Sequence, residues 1–110
     1  AHSRHVYHLY VIQAEDRDSL RDHLMQRGVE TGLHYPVPLH QQEAYASLGY
    51  RTGDFPVTEK ATQRILSLPM YPDMSMEAVD YVSNAVLDYL RGSDAFGRVP
   101  DGSEQCCPTP

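Results

Sequence analysis

Pro36 and Pro38 sit in the segment Gly32-Leu33-His34-Tyr35-Pro36-Val37-Pro38-Leu39-His40, and they forbid a helix through this part of the 110-residue chain. Each proline fixes its own φ, removes a backbone donor and pushes the residue before it toward extended geometry. Tyr35 and Val37 are therefore biased to β or polyproline II conformation. Two imidazoles and a phenol lie along a path that is stiff before any ligand arrives. Such a path presents polar groups rather than packing a core.

The elements on either side follow from periodicity. From Val6 to Ile12, Tyr7, Leu9 and Val11 alternate with His8, Tyr10 and Ile12, the pattern of a strand with one buried face. Asp16 is placed to cap a helix with Leu20 and Leu24 on one face, and Gly28 to end it in left-handed conformation. Val29 to Tyr35 reads as a second strand. Pro36 to Thr52 reads as a long loop with a helical turn between Gln42 and Leu48. Pro56 opens a helix whose inner stripe is Val57, Ala61 and Ile65, and Leu66 to Met70 forms a short strand beyond it. Pro69 cannot donate a ladder bond, so Leu68-Pro69-Met70-Tyr71-Pro72 ends that strand as an edge. Ser75 caps a last helix, in which Val79, Val82, Val86 and Leu90 repeat before Gly92 stops it.

This order predicts an α+β two-layer domain over residues 1–92, with helices covering one face of a small sheet. Residues 93–110 lack apolar periodicity and read as a flexible tail. No internal repeat is visible.

Composition excludes several functions. A net charge of -6, from nine basic and fifteen acidic residues, offers no cationic surface for a phosphate backbone, so no nucleic-acid partner is expected. Arg17, Arg21, Arg27 and Arg64 read as solvated helix faces. No apolar run reaches the length of a membrane span, and no basic-then-apolar start reads as an export signal, so a cytoplasmic protein without membrane contact is the expectation. Cys106 and Cys107 are adjacent, bridge only through strained geometry and read as reduced thiols. His2, His5 and His8 recur at a spacing that suits metal ligation on a helix. On a strand, His5 and His8 face opposite sides, so no metal site is expected.

Four blocks occur in a recognisable order: Tyr7-His8-Leu9-Tyr10-Val11-Ile12, then the His34-Tyr35-Pro36 path, then Gly53-Asp54-Phe55-Pro56-Val57-Thr58-Glu59, then Ile65-Leu66-Ser67-Leu68-Pro69-Met70-Tyr71-Pro72. Together they resemble the C-terminal region of the DegT/StrS-type (DegT/DnrJ/EryC) nucleotide-sugar aminotransferases, from about Val6 to Leu90. The resemblance implies the small domain of a fold-type I aminotransferase with a mostly antiparallel sheet. It also implies pyridoxal phosphate as the parent family's cofactor, held by a lysine in a large domain that lies outside these residues. The start at Ala1, without a methionine, is consistent with a fragment and equally with trimming.

Pyridoxal phosphate chemistry needs a lysine amine, an acidic partner for the ring nitrogen and a phosphate-binding helix start. The only lysine, Lys60, falls mid-helix and matches no cofactor-lysine motif. No catalytic residue, and no cofactor bound by this chain alone, is therefore expected. The resemblance places His34 and Tyr35, and after them His40, against a nucleotide-sugar substrate. Read from the residues alone, the simpler account is Tyr35 as core and His34 as a satisfied strand-end residue. Glu59 in a first helical turn suits the dipole. Gln13 stands where many family members carry arginine, so an anion-contacting role there is in doubt. Two functions remain open. One is a cleft-closing small domain of a sugar aminotransferase, inactive alone. The other is a free-standing, non-catalytic ligand-binding or self-assembling module. If its neighbour is lost, uncovered Leu68, Met70 and Tyr71 would favour a homodimer.

Overall fold

The computed structural model describes Ser3, Arg4 and residues 6–93. Helix α1 (Arg17–Gln26) begins where Asp16 accepts a hydrogen bond from the Ser19 N–H at 3.3 Å. It ends in a full Schellman closure. The Val29 N–H reaches the Leu24 carbonyl and the Gly28 N–H the Met25 carbonyl, both at 2.9 Å, with Gly28 at φ 73°. Leu20 and Leu24 on its inner face are fully buried, each stabilising the fold by about 1.5–3 kcal/mol.

The sheet has two strands. β1 (Tyr10–Gln13) pairs antiparallel with β2 (Ile65–Leu68), with Ile12 opposite Leu66 and Val11 opposite Ser67. β1 is shorter than the alternation of Val6–Ile12 predicts, because Tyr7 lies at φ 53°, outside the extended region. Ile12, rather than Val11, turns toward the core. The second strand expected over Val29–Tyr35 shrinks to one bridge, in which Gly32 and Ser67 exchange N–H···O bonds of 3.0 and 2.8 Å. Val29 is unavailable to a ladder because it completes the cap of α1 and packs in the core.

Helix α2 (Pro56–Arg64) takes Pro56 at its start and passes into β2 without a loop. Its expected inner stripe is only partly realised. Ala61 and Ile65 are half-buried, but Val57 is 82% exposed, on the wall of an open groove beside the proline-rich path. Arg17 also departs from expectation. Its side chain is largely buried, and its guanidinium donates to the Thr62 and Ile65 carbonyls at 3.4 and 3.3 Å, satisfying the C-terminal end of α2. Arg27 and Arg64 pair with Asp88 and Glu15.

Ser75 caps α3 (Met76–Ser93), its hydroxyl accepting the Ala78 N–H at 3.2 Å. The helix runs through Gly92 rather than stopping there. Glycine costs a helix interior only about 1 kcal/mol and does not by itself end one. Ala85 is buried against α1, with Val82 and Val86 partly buried around it. α1 and α3 are further joined where His23 Nε2 donates to the Ala85 carbonyl at 3.1 Å and the Tyr81 hydroxyl to the Arg27 carbonyl at 2.7 Å. The result is the α+β arrangement of helices on an antiparallel sheet. None of the helices among the described residues is long and apolar enough to cross a membrane. The expected tail, apart from Ser93, lies outside the described residues, with Cys106 and Cys107.

Candidate functional site

Strand alternation sends Leu66 toward α1 and α3 and Ser67 to the opposite face. Ser67 is nevertheless only 4% exposed, because the Gly32 bridge brings the proline-stiffened path across it. Its hydroxyl lies 2.9 Å from His34 Nδ1. Gly32 has a specific reason to lack a side chain, since a Cβ there would stand 2.6 Å from His34 Cε1. The imidazole thus rests on bare backbone with one nitrogen against a buried hydroxyl.

Tyr35 is 67% exposed, so it is not a core residue. Its ring meets His34 edge-on at 5.6 Å. The two side chains border an open groove of about 340 Å³ whose other walls include Pro38, Leu39, Val57 and Thr58. They present an imidazole and a phenol beside an apolar floor, a combination able to hydrogen-bond hydroxyl or phosphate oxygens.

Leu39 and Thr58 also border a second groove of about 420 Å³, lined further by His40, Tyr45, Tyr50 and Phe55. His40 is nearly buried here, stacked at 4.8 Å on Phe55, with Nε2 2.9 Å from Glu59 Oε1. Glu59 is the anchor of this half of the domain. Both its oxygens accept the Gly53 N–H, at 2.8 and 3.0 Å, and Oε1 also accepts the Phe55 N–H at 3.4 Å. The Gly53 amide, then His40 and the Phe55 amide, hold the Glu59 carboxyl below the usual glutamate value. The carboxylate is therefore ionised at neutral pH and accepts, so His40 Nε2 carries the proton it donates.

Of the residues singled out from the sequence, the structure joins His34 and Tyr35 on one groove and sets His40 in the next, committed to Glu59. Gln13 is exposed at the end of β1, opposite Ile65. Lys60 is exposed on α2. It stands outside both grooves and does not fit the anchoring of pyridoxal phosphate. Among the described residues, no three His, Cys, Asp or Glu side chains gather to hold a metal; His2 and His5 lie outside those residues. Sequence reasoning missed Ser67 and Gly32, whose roles depend on a bridge between distant segments. It read Glu59 as a dipole partner only. A glutamate in the first turn of a helix, preceded by a glycine turn, is the available signal for a carboxylate that reaches back to cap amides.

The sequence profile of the DegT/DnrJ/EryC1/StrS aminotransferase family matches residues 1–87. The chain belongs to this family. It is 44% identical over 87 residues to the pleiotropic regulatory protein of Geobacillus stearothermophilus, covering 79% of this chain and 23% of that one. It is 38% identical over 89 residues to the dTDP-3-amino-3,4,6-trideoxy-alpha-D-glucose transaminase of Streptomyces venezuelae, covering 81% of this chain and 24% of the relative. Among solved structures it matches S. venezuelae DesV in complex with ketimine intermediate, with a TM-score of 0.73 and 39% identity over 76% of this chain and 23% of that one. A DegT/DnrJ/EryC1/StrS aminotransferase from Brucella abortus follows with a TM-score of 0.68 and 36% identity over 74% of this chain and 22% of that one. The chain thus spans under a quarter of the length of these relatives and corresponds to one portion of a family aminotransferase.

Proposed function

We propose that these residues are the small domain of a pyridoxal-phosphate-dependent nucleotide-sugar aminotransferase, closing the substrate cleft and inactive alone. The observation that carries the reading is the exposed His34–Tyr35 pair on its groove, in a chain whose relatives include a transaminase of a dTDP-amino sugar. When bound in the whole enzyme, pyridoxal phosphate supplies the electron sink for amino transfer. The residues here do something else: His34 and Tyr35 bind sugar or phosphate oxygens, and the path around Pro36 and Pro38 orients them and excludes water. The domain boundary falls at residue 92 on this reading.

The test is titration of the 110-residue chain with dTDP-glucose and, separately, with pyridoxal phosphate. Saturable heat with the nucleotide sugar, reduced about tenfold in affinity by His34→Ala, and no yellow absorbance band with the cofactor, are expected. Conversion of a keto-sugar by the purified chain alone would overturn the reading.

A second reading rests on exposure. Leu39 and Leu48 are 67% and 63% exposed beside the His40 groove, as in a domain built to pack on a neighbour. Leu68 and Met70 are half-buried in a groove of about 250 Å³, and Tyr71 is exposed. A free-standing module would cover such surfaces by pairing with itself. Sedimentation showing a monomer at high concentration counts against that pairing.

A further inference from the structure

Ser67 and Gly32 do more for His34 than support it. A serine hydroxyl carries one proton to donate, and burial makes an unmatched proton costly. Among the described residues, the Ser67 hydroxyl meets only His34 Nδ1, at 2.9 Å. The Ser67 N–H and carbonyl bond to Gly32 at 2.8 and 3.0 Å, and among the described residues the hydroxyl reaches no carbonyl. If Nδ1 carried a proton, that proton would point at the hydroxyl oxygen and leave the buried hydroxyl hydrogen without an acceptor. With Nδ1 bare, the hydroxyl donates to it and the buried contact is matched on both sides. The protonated nitrogen is then Nε2, at the other end of the ring, which has no partner among the described residues. The hydrogen bond at one imidazole nitrogen thus decides what the other can do.

We propose that Ser67 and Gly32 are positioning residues that fix the His34 imidazole in one orientation and one tautomer, so that Nε2–H is presented as a donor to an acceptor oxygen of the substrate. This rests on the reading that His34 faces a nucleotide sugar, and it adds the sign of the contact. His34 recognises a phosphate or sugar oxygen that accepts, not a hydroxyl that donates. Gly32 contributes by absence. The ring occupies the space of a side chain there, so any Cβ, 2.6 Å from Cε1, pushes the imidazole off the Ser67 hydroxyl.

Two substitutions break the same contact from opposite sides, Ser67→Ala by removing the hydroxyl and Gly32→Ala by displacing the ring. The primary readout is the imidazole ¹⁵N spectrum of His34, taken above the ordinary histidine titration range. The parent chain shows the two nitrogens widely separated in shift, as a single tautomer requires. Both variants narrow the separation toward the exchanging average, while Ser67→Thr keeps it wide. The second readout is dTDP-glucose affinity, expected to fall about tenfold in both alanine variants and to be retained in Ser67→Thr. Unchanged imidazole shifts in folded Ser67→Ala and Gly32→Ala overturn the inference, as does narrowing without any loss of an affinity that the parent chain shows. If the parent chain binds no dTDP-glucose, the substrate reading fails by itself, and the imidazole shifts still decide whether Ser67 holds the tautomer. Should Ser67→Ala not fold, Gly32→Ala and Ser67→Thr carry the same decision.

Discussion

The half built from α1, β1, β2 and α3 is held by burial, whereas the stretch from Pro36 to Phe55 is held mainly by hydrogen bonds, with three donors converging on one carboxylate. In the first, Leu20, Leu24, Leu66 and Ala85 are all but inaccessible. In the second, Pro38 alone is buried, and Leu39, Leu48 and Phe55 remain exposed. The first half can therefore lose a surface contact with little consequence. The second depends on Glu59, whose oxygens collect the Gly53, Phe55 and His40 donors. The side chains proposed to meet substrate sit where these regimes join. His34 is fastened to the sheet through Ser67, and the path beyond it leads to the weakly buried half.

The contrast can be tested by substitutions of decreasing expected effect. Leu24→Ala removes a fully buried side chain from the centre of the core and should lower the unfolding free energy by about 2–5 kcal/mol in urea titration. A loss below about 1 kcal/mol would mean the helical layer is not the stabilising half. Glu59→Gln leaves one acceptor oxygen where three donors converge. Amide exchange at Gly53 and Phe55 should accelerate about tenfold while Leu20 and Leu24 amides stay protected; equal acceleration in both regions would show that the halves unfold together.

The same carboxylate has a pH signature. The folded state holds Glu59 below its ordinary value of 4.5, so its contribution is whole above that value and is lost as pH falls through the lowered one. Melting temperature should therefore drop more steeply below pH 4.5 in the parent chain than in Glu59→Gln. Parallel acid limbs would remove Glu59 from its place as anchor.

Ser75→Ala deletes the cap of α3 and should cost about 1 kcal/mol, read as a lower urea midpoint with unchanged slope. Arg27→Ala breaks an exposed pair with Asp88 and should shift stability by less than about 1 kcal/mol. A larger loss would give the surface of the helical half a role that its burial does not indicate.

Local grammar in the chain was sufficient for most features closed within a few residues, though not for the end of α3, which runs through Gly92. Asp16 and Gly28 bound α1, Pro56 opens α2, Ser75 opens α3, and Pro36 and Pro38 keep the central path out of a helix. These features depend on one residue's φ or on a side chain reaching an amide three positions away, so each is written beside its own consequence. Tertiary structure decided the rest. It turned the Val29–Tyr35 strand into a single bridge, drew Arg17 onto the end of α2 from 45 and 48 positions away, left Val57 in the open, and put Ser67 under His34 across a separation of 33. A buried hydroxyl and an exposed imidazole carry no mark of each other in sequence, because what joins them is the space between two segments, and that space exists only once the core beneath it has closed.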